Sequence, residues 1–258
     1  MTINQVMAAL VLTALAPFSV AETVAKTYPV KDFSEFVAGG GAHIEITQDG
    51  NEYLRVEADA EVMKRVKVDQ TGKRVSVWVK SDSNFFNWFG HGDGKIRVVL
   101  KVKHLEYLEL SGGAIAKVGD LQEEKLEVSN SGAADTRFET INAASFRLDL
   151  SGAANVKIKS VNSQQQDFDL SGAADVEIKN DSNTQSLTAD VSGASNLRAR
   201  LLTAKNARLD ASGASHIELT VTDELEAGAS GASNVSYYGN PKAKTDSSGA
   251  SHINARSE

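Results

Sequence analysis

Ser151-Gly152-Ala153-Ala154-Asn155-Val156-Lys157-Ile158 decides the fold, because the chain keeps returning to it. Ser-Gly followed by two small residues begins at Ser111, Ser131, Ser151, Ser171, Ser192, Ser212, Ser230 and Ser248, at steps of 20, 20, 20, 21, 20, 18 and 18 residues. Most copies continue with a polar residue and then apolar, polar and apolar positions, as in Asp175-Val176-Glu177-Ile178 and His216-Ile217-Glu218-Leu219. Alternation also leads into the motif, as in Phe146-Arg147-Leu148-Asp149-Leu150. A period of two means strands with one apolar face. A strand unit recurring every 20 residues or so cannot bury that face alone and must stack on its neighbours. Helical repeats need roughly 33 residues or more and are excluded. Leu105-Glu106-Tyr107-Leu108-Glu109-Leu110 fits a leucine-rich repeat, but the places equivalent to Leu105 hold Ser145, Gln165, Ser186 and Asn206. Ten residues after the repeat Ser stand Leu121, Ile141, Val161 and Leu202, which supply a further apolar face. The expected fold is all-β: a parallel β-helix, or β-solenoid, of about 20-residue coils spaced ~4.8 Å apart, eight of them making a rod of ~35–40 Å.

The glycines at Gly112, Gly132, Gly152, Gly172, Gly193, Gly213, Gly231 and Gly249 mark the point where each coil turns tightly or where stacked backbones approach closely. Equivalent positions in a solenoid form columns. One outward column reads Asp135, Asn155, Asp175, Asn196, His216 and is the candidate polar ladder. Another holds Asp149, Asp169, Asp190 and Asp210 in succession; these repel unless protonated, paired or cation-bound. Arg147 and Arg208 in one neighbouring column, and Lys117, Arg137, Lys157 and Arg198 in another, offer compensation. Calcium held along the column by carboxylate oxygens is one reading; because the calcium-binding repeat Gly-Gly-x-Gly-x-Asp is absent, the aspartates read first as a solvated, cation-compensated face. His43, His91, His104, His216 and His252 lack metal-ligand spacing. Asp135 and Asp175 lie two coils apart, about 9–10 Å, near the carboxylate separation of inverting glycosidases. A polysaccharide-acting hydrolase or lyase is therefore the alternative reading. The rest of that column is Asn and His, ordinary ladder residues, and no nucleophile elbow, phosphate loop or His-Glu-x-x-His is present. The expectation is a non-enzymatic chain without cofactor.

Residues 22–110 read as irregular coils preceding the regular repeats of 111–258, the whole of 22–258 forming a single solenoid domain. Gly39-Gly40-Gly41-Ala42-His43-Ile44-Glu45-Ile46 aligns with Ser212 to Leu219, as if the repeat unit starts the stack and then degenerates. Ala60 to Val66 reads as a helical turn or as more irregular coil. The stretch 81–94 breaks the pattern with Phe85, Phe86, Trp88 and Phe89 in a Gly-rich loop. Clustered aromatics of this kind anchor a partner or cover the end of a solenoid.

Composition places the chain. Val6 to Phe18 is an apolar core of leader-peptide length, and Ser19-Val20-Ala21 is a small-x-small site, so cleavage is expected after Ala21 and the mature chain is periplasmic, secreted or at the cell surface. All 27 basic and 34 acidic residues follow Ala21, giving a net charge of −7, which argues against a nucleic-acid partner. There is no cysteine, which excludes disulfides, thiolate chemistry and zinc–cysteine sites. No later stretch is apolar for long enough to span a bilayer.

The serial Ser-Gly-Ala motifs, the opening Gly41-Ala-His-Ile-Glu-Ile-Thr-Gln-Asp-Gly50 and the closing Tyr237-Tyr238-Gly239-Asn240-Pro241 resemble the head GIN domain family of auto-transporter adhesins across about residues 30 to 256. The resemblance implies an exported bacterial β-helix-like domain with a role in adhesion; the reading adopted on that basis is a module whose elongated face or aromatic loop binds a partner such as an envelope glycan or a surface protein. It brings no catalytic residues to carry over. At this length the chain leaves no room for a translocating barrel beside the solenoid, so export through its own C-terminus is not expected. The residues leave the ligand and the oligomeric state open.

Overall fold

The computed structural model describes residues 23–79 and 96–257. The expected leader and the aromatic loop, with Phe85, Phe86, Trp88 and Phe89, lie outside the described residues.

After β1 (Thr23–Tyr28), the first coil is built by β2 (Glu35–Ala38), a turn at Gly39 to Gly41, and β3 (Ala42–Gln48). Phe36, Ala38, Ala42, Ile44 and Ile46 alternate inward and are buried. The chain then leaves the stack through β4 (Tyr53–Asp59), a single helical turn α1 (Ala60–Met63), β5 (Val66–Thr71), β6 (Arg74–Val79) and β7 (Ile96–Val102). It returns as β8 (Tyr107–Leu110) and β9 (Ile115–Val118), which stack directly on the first coil in parallel, Phe36 beside Leu108 and Ile44 beside Ala116. The excursion is therefore not a run of degenerate coils. Its β6 and β7 pair in parallel with the other edges of β2 and β3, while β5 on β6, β4 on β7 and β1 on β4 are antiparallel. The reversal between β5 and β6 comes from a two-residue turn with Gly72 at φ 59°, where a side chain is disfavoured. These strands close one end of the stack over Leu54, Val56, Val75 and Val98, all fully buried.

From β9 onward every pairing is parallel. The strands are β10 (Leu121–Asn130), β11 (Asp135–Leu150), β12 (Asn155–Leu170), β13 (Asp175–Ile178), β14 (Ser182–Val191), β15 (Asn196–Ala211), β16 (His216–Ala229), β17 (Asn234–Tyr238), β18 (Lys242–Ser247) and β19 (His252–Ala255). They form about seven turns of a β-solenoid with three walls. The first wall precedes each repeat Ser, the second follows it, and the third starts with Leu121, Ile141, Val161 and Leu202, all buried. Inside, Phe146 and Phe168 pack edge to face at 5.6 Å between ring centres, and Leu148, Leu150, Val156 and Ile158 fill the space between the walls. Burying each such side chain stabilises the stack by about 1.5–3 kcal/mol. The changes of repeat length are absorbed around the third wall, where β15 meets β16 with register shifts, so the Ser-Gly corner never slips.

That corner explains the motif. Its glycines adopt φ between 70° and 81°, in the left-handed region, and each turn rests on the previous one. A Cβ on Gly172 would lie 2.5 Å from the carbonyl oxygen of Gly152, and one on Gly193 would lie 2.4 Å from that of Gly172. The close approach is held by a hydrogen bond at every step, such as the Ala173 N–H to the Gly152 carbonyl at 2.7 Å. The first small residue faces solvent, while the second, Ala154 or Ala174, points into the core. Where that second residue is Ser233 or Ser251, its hydroxyl donates to backbone carbonyls, those of Ala211 and Ala229 respectively, in the coil below.

Candidate functional site

The second wall carries the polar ladder in the expected register: Asp135, Asn155, Asp175, Asn196 and His216 stand side by side on successive coils. Three of the five side chains have partners within the wall. Asp135 is ion-paired with Nε of Arg137 at 3.1 Å, Asp175 takes a hydrogen bond from the guanidinium of Arg198 one coil further on, and Asn155 donates to the Ala153 carbonyl at 3.3 Å. Each of the two carboxylates two coils apart is thus engaged by an arginine. Further along the wall, Arg200 lies over the ring of Tyr238 at 4.5 Å, and the Tyr238 hydroxyl donates to Glu218.

The first wall carries the aspartates. Asp149, Asp169, Asp190 and Asp210 are adjacent in register. Desolvation first, and the neighbouring carboxylate second, hold the Asp149 and Asp190 carboxyls above their ordinary range, Asp169 acting on Asp149 and Asp210 on Asp190. The arginines expected to relieve this column serve mainly their own: Arg147 bonds Asp167 at 2.5 Å, and Arg208 bonds Glu226 at 2.8 Å while reaching Asp210 only at 3.9 Å. Among the described residues no group of three or more acidic, His or Cys side chains is arranged to hold a metal ion. At Gly228 the aspartate column is interrupted, and the Asp210 carboxylate leans over the gap, 2.6 Å from where a Cβ would stand.

The third wall holds a feature that the motif reading passed over. Gln122, Asn142, Asn162 and Asn183 occupy one column, eleven or twelve residues after the repeat Ser, an offset visible in the sequence but attached to no recurring motif. Asn162 donates its amide to Oδ1 of Asn142 at 3.3 Å, and Asn183 donates to Oδ1 of Asn162 at 3.5 Å. Beside this ladder runs a groove of about 670 Å³ with Ala143 and Ala144 in its floor, Ser163 and Gln164 at one end, and His104, Glu106, Glu123 and Glu124 at the other. The Glu123 side chain is only 5% exposed. Its Oε1 accepts from the Leu105 N–H at 2.7 Å and from Gln48 at 2.8 Å, and its Oε2 lies 3.3 Å from Nδ1 of the exposed His104. At the opposite end, buried Gln166 donates to the Ser163 hydroxyl at 2.9 Å.

No helix among the described residues is long and apolar enough to cross a membrane. The fold recurs in solved structures. A "putative adhesin" from Parabacteroides merdae ATCC 43184 is 16% identical, with a TM-score of 0.83 over 92% of this chain and 97% of that one. Two proteins from Parabacteroides distasonis ATCC 8503 are each 18% identical: a "putative adhesin", TM-score 0.80, over 93% of this chain and 98% of that one, and a "Putative lipid binding protein", TM-score 0.79, over 92% and 98%. No curated protein matches the chain. Residues 32–241 match the family model described as "Putative auto-transporter adhesin, head GIN domain", and the chain belongs to that family.

Proposed function

We propose that this protein is an exported, non-enzymatic binding module, an adhesin in the sense of its family, that presents the outer walls of a rigid solenoid to an envelope glycan or surface protein. The observation that carries this reading is the register: outward side chains repeat coil after coil as columns of hydrogen-bonding groups on strands whose own backbone groups are already paired. Such a surface offers the same chemistry many times over and suits a repetitive or extended partner better than a single small substrate. Family membership and the likeness of fold support the same direction. The leader ending at Ala21 would deliver the module to the periplasm or cell surface, and the loop bearing Phe85, Phe86, Trp88 and Phe89 remains a second candidate contact.

The test is cosedimentation of the mature protein, residues 22–258, with bacterial envelope preparations and intact cells, alongside incubation with a panel of cell-wall and plant polysaccharides. Saturable cosedimentation with no release of reducing ends is expected. Release of reducing ends, abolished in Asp135→Asn or Asp175→Asn, would replace this reading by that of a polysaccharide-acting enzyme.

A further inference from the structure

We infer that the groove on the third wall is a binding site for a neutral, linear glycan lying along the solenoid axis, an assignment that rests on the binding reading above and gives it a place and a ligand class. Four features converge there. The floor at Ala143 and Ala144 is flat and small, whereas the coils on either side present Glu123 and Glu124 or Ser163 and Gln164 at the equivalent places, so a depression opens across the wall. One flank is the amide ladder. Each amide engaged in it has a further N–H or lone pair to offer, a donor and acceptor pattern matched to hydroxyls, which also give and accept. The ladder repeats at the ~4.8 Å spacing of adjacent strands, so its partner must repeat polar groups at a similar step, as a chain of pyranose rings does. Lastly, one end is built in advance: the buried Glu123 carboxylate is fixed by the Leu105 N–H and Gln48, and orients His104 at the mouth.

The same features exclude other ligands. The lining contains no Lys or Arg and includes three glutamates, which disfavours nucleic acids and uronate-rich polymers. In the coils of Asn142 and Asn162 the strands of this wall are paired on both sides, and the one edge without a strand partner, at Gln122, is taken by the Gln48 side chain, which accepts from the Gln122 N–H and donates to its carbonyl, so a peptide finds no open edge to join there. Only alanines supply apolar lining, so peptide side chains would find little to bury.

The test is calorimetric titration of the mature protein with neutral linear oligosaccharides and, in parallel, with uronate-bearing ones. Two variants are titrated with it: Ala144→Arg, which fills the floor, and the exposed pair Asn142→Ala with Asn162→Ala, which removes the ladder without touching the core. Saturable binding of a neutral oligosaccharide is expected, weakened at least about ten-fold in both variants at unchanged melting temperature. Glu218→Gln on the second wall should leave it unaltered. If Ala144→Arg fails to fold, the amide pair alone decides. Neutral binding that survives the amide pair, or tighter binding of uronates, overturns the groove assignment. Envelope cosedimentation that persists while no neutral oligosaccharide binds, or that is abolished by protease treatment of the envelope, also overturns it but leaves the binding reading standing. Loss of cosedimentation altogether removes that reading itself.

Discussion

The two ends of the stack are closed by different means. At the N-terminal end, β4 to β7 leave the helical path, reverse direction and cover the first coil with Leu54, Val56, Val75 and Val98. At the C-terminal end nothing among the described residues covers β18 or β19: every residue of Lys242–Ser247 is exposed, and the inward positions are Ala243, Thr245 and Ser247. The equivalent inward places deeper in the stack are Phe146, Leu148 and Leu150. Apolar side chains thus give way to small and polar ones where cover ends, and Lys242 and Lys244 charge the free edge against pairing with another strand. Among the described residues, one end of the solenoid is covered by structure and the other is made tolerant of water by composition.

The largest effect that should separate mid-stack from end comes from one substitution made twice. Gly193→Val puts a side chain in the left-handed region and drives it to 2.4 Å from a carbonyl with further coils stacked beyond, so the loss should exceed about 4 kcal/mol and abolish cooperative folding. Gly249→Val meets a carbonyl at 2.9 Å in the last described coil, with no described residue stacked on it, and should cost about 1–3 kcal/mol as local strain. Denaturant melts of both decide the matter; equal losses would mean that the final coil is as integral as the middle. Next, Leu54→Ala in the cover should lose about 2–5 kcal/mol, because Leu54 is wholly buried. Ile253→Ala in half-buried β19 should lose less than about 1 kcal/mol in the same melts.

The smallest effect is electrostatic and opposite in sign in the two regions. In the cover, hydrogen bonds from Lys101 and Lys103 hold Asp49 and Glu52 below the ordinary carboxylate range. Their contribution is present above the unfolded pKa and lost as pH falls through the folded one. In the body, burial and like charge hold Asp149 and Asp190 above that range, so the penalty of ionising them is relieved as pH falls. Hydrogen exchange followed from about pH 5 down to about pH 2.5, through and below the ordinary carboxylate range, should show the cover loosening before the walls. Asp149→Asn should raise the melting temperature by about 2 °C at neutral pH and by less in acid. A drop at neutral pH would show that the ionised carboxylate supports the wall.

The body was legible because repetition turns each position into a column: once Ser-Gly is fixed at a corner, inward Leu148 and Val156 and outward Asp149 and Asn155 follow by alternation. The cover was not, because alternation reads the same in a parallel or an antiparallel strand. Tyr53 to Asp59 carries the pattern of a coil yet runs the other way. Columns were readable but partners were not. Arg147 could have relieved Asp149, and only geometry shows it bonded to Asp167. The groove escaped because its floor is defined by what Ala143 and Ala144 lack, and its flank by amides that belong to no motif.

The placement of β3 also sets an order of assembly. One of its neighbours, β7, ends at Val102 and the other, β9, at Val118, so residues 42–48 wait some seventy residues of chain for both edges to be met. After that, each new coil needs only about the next twenty residues and finds its template already in place. The chain thus pays its long-range loop closure once, at the start, and thereafter grows as a zipper whose teeth arrive in sequence.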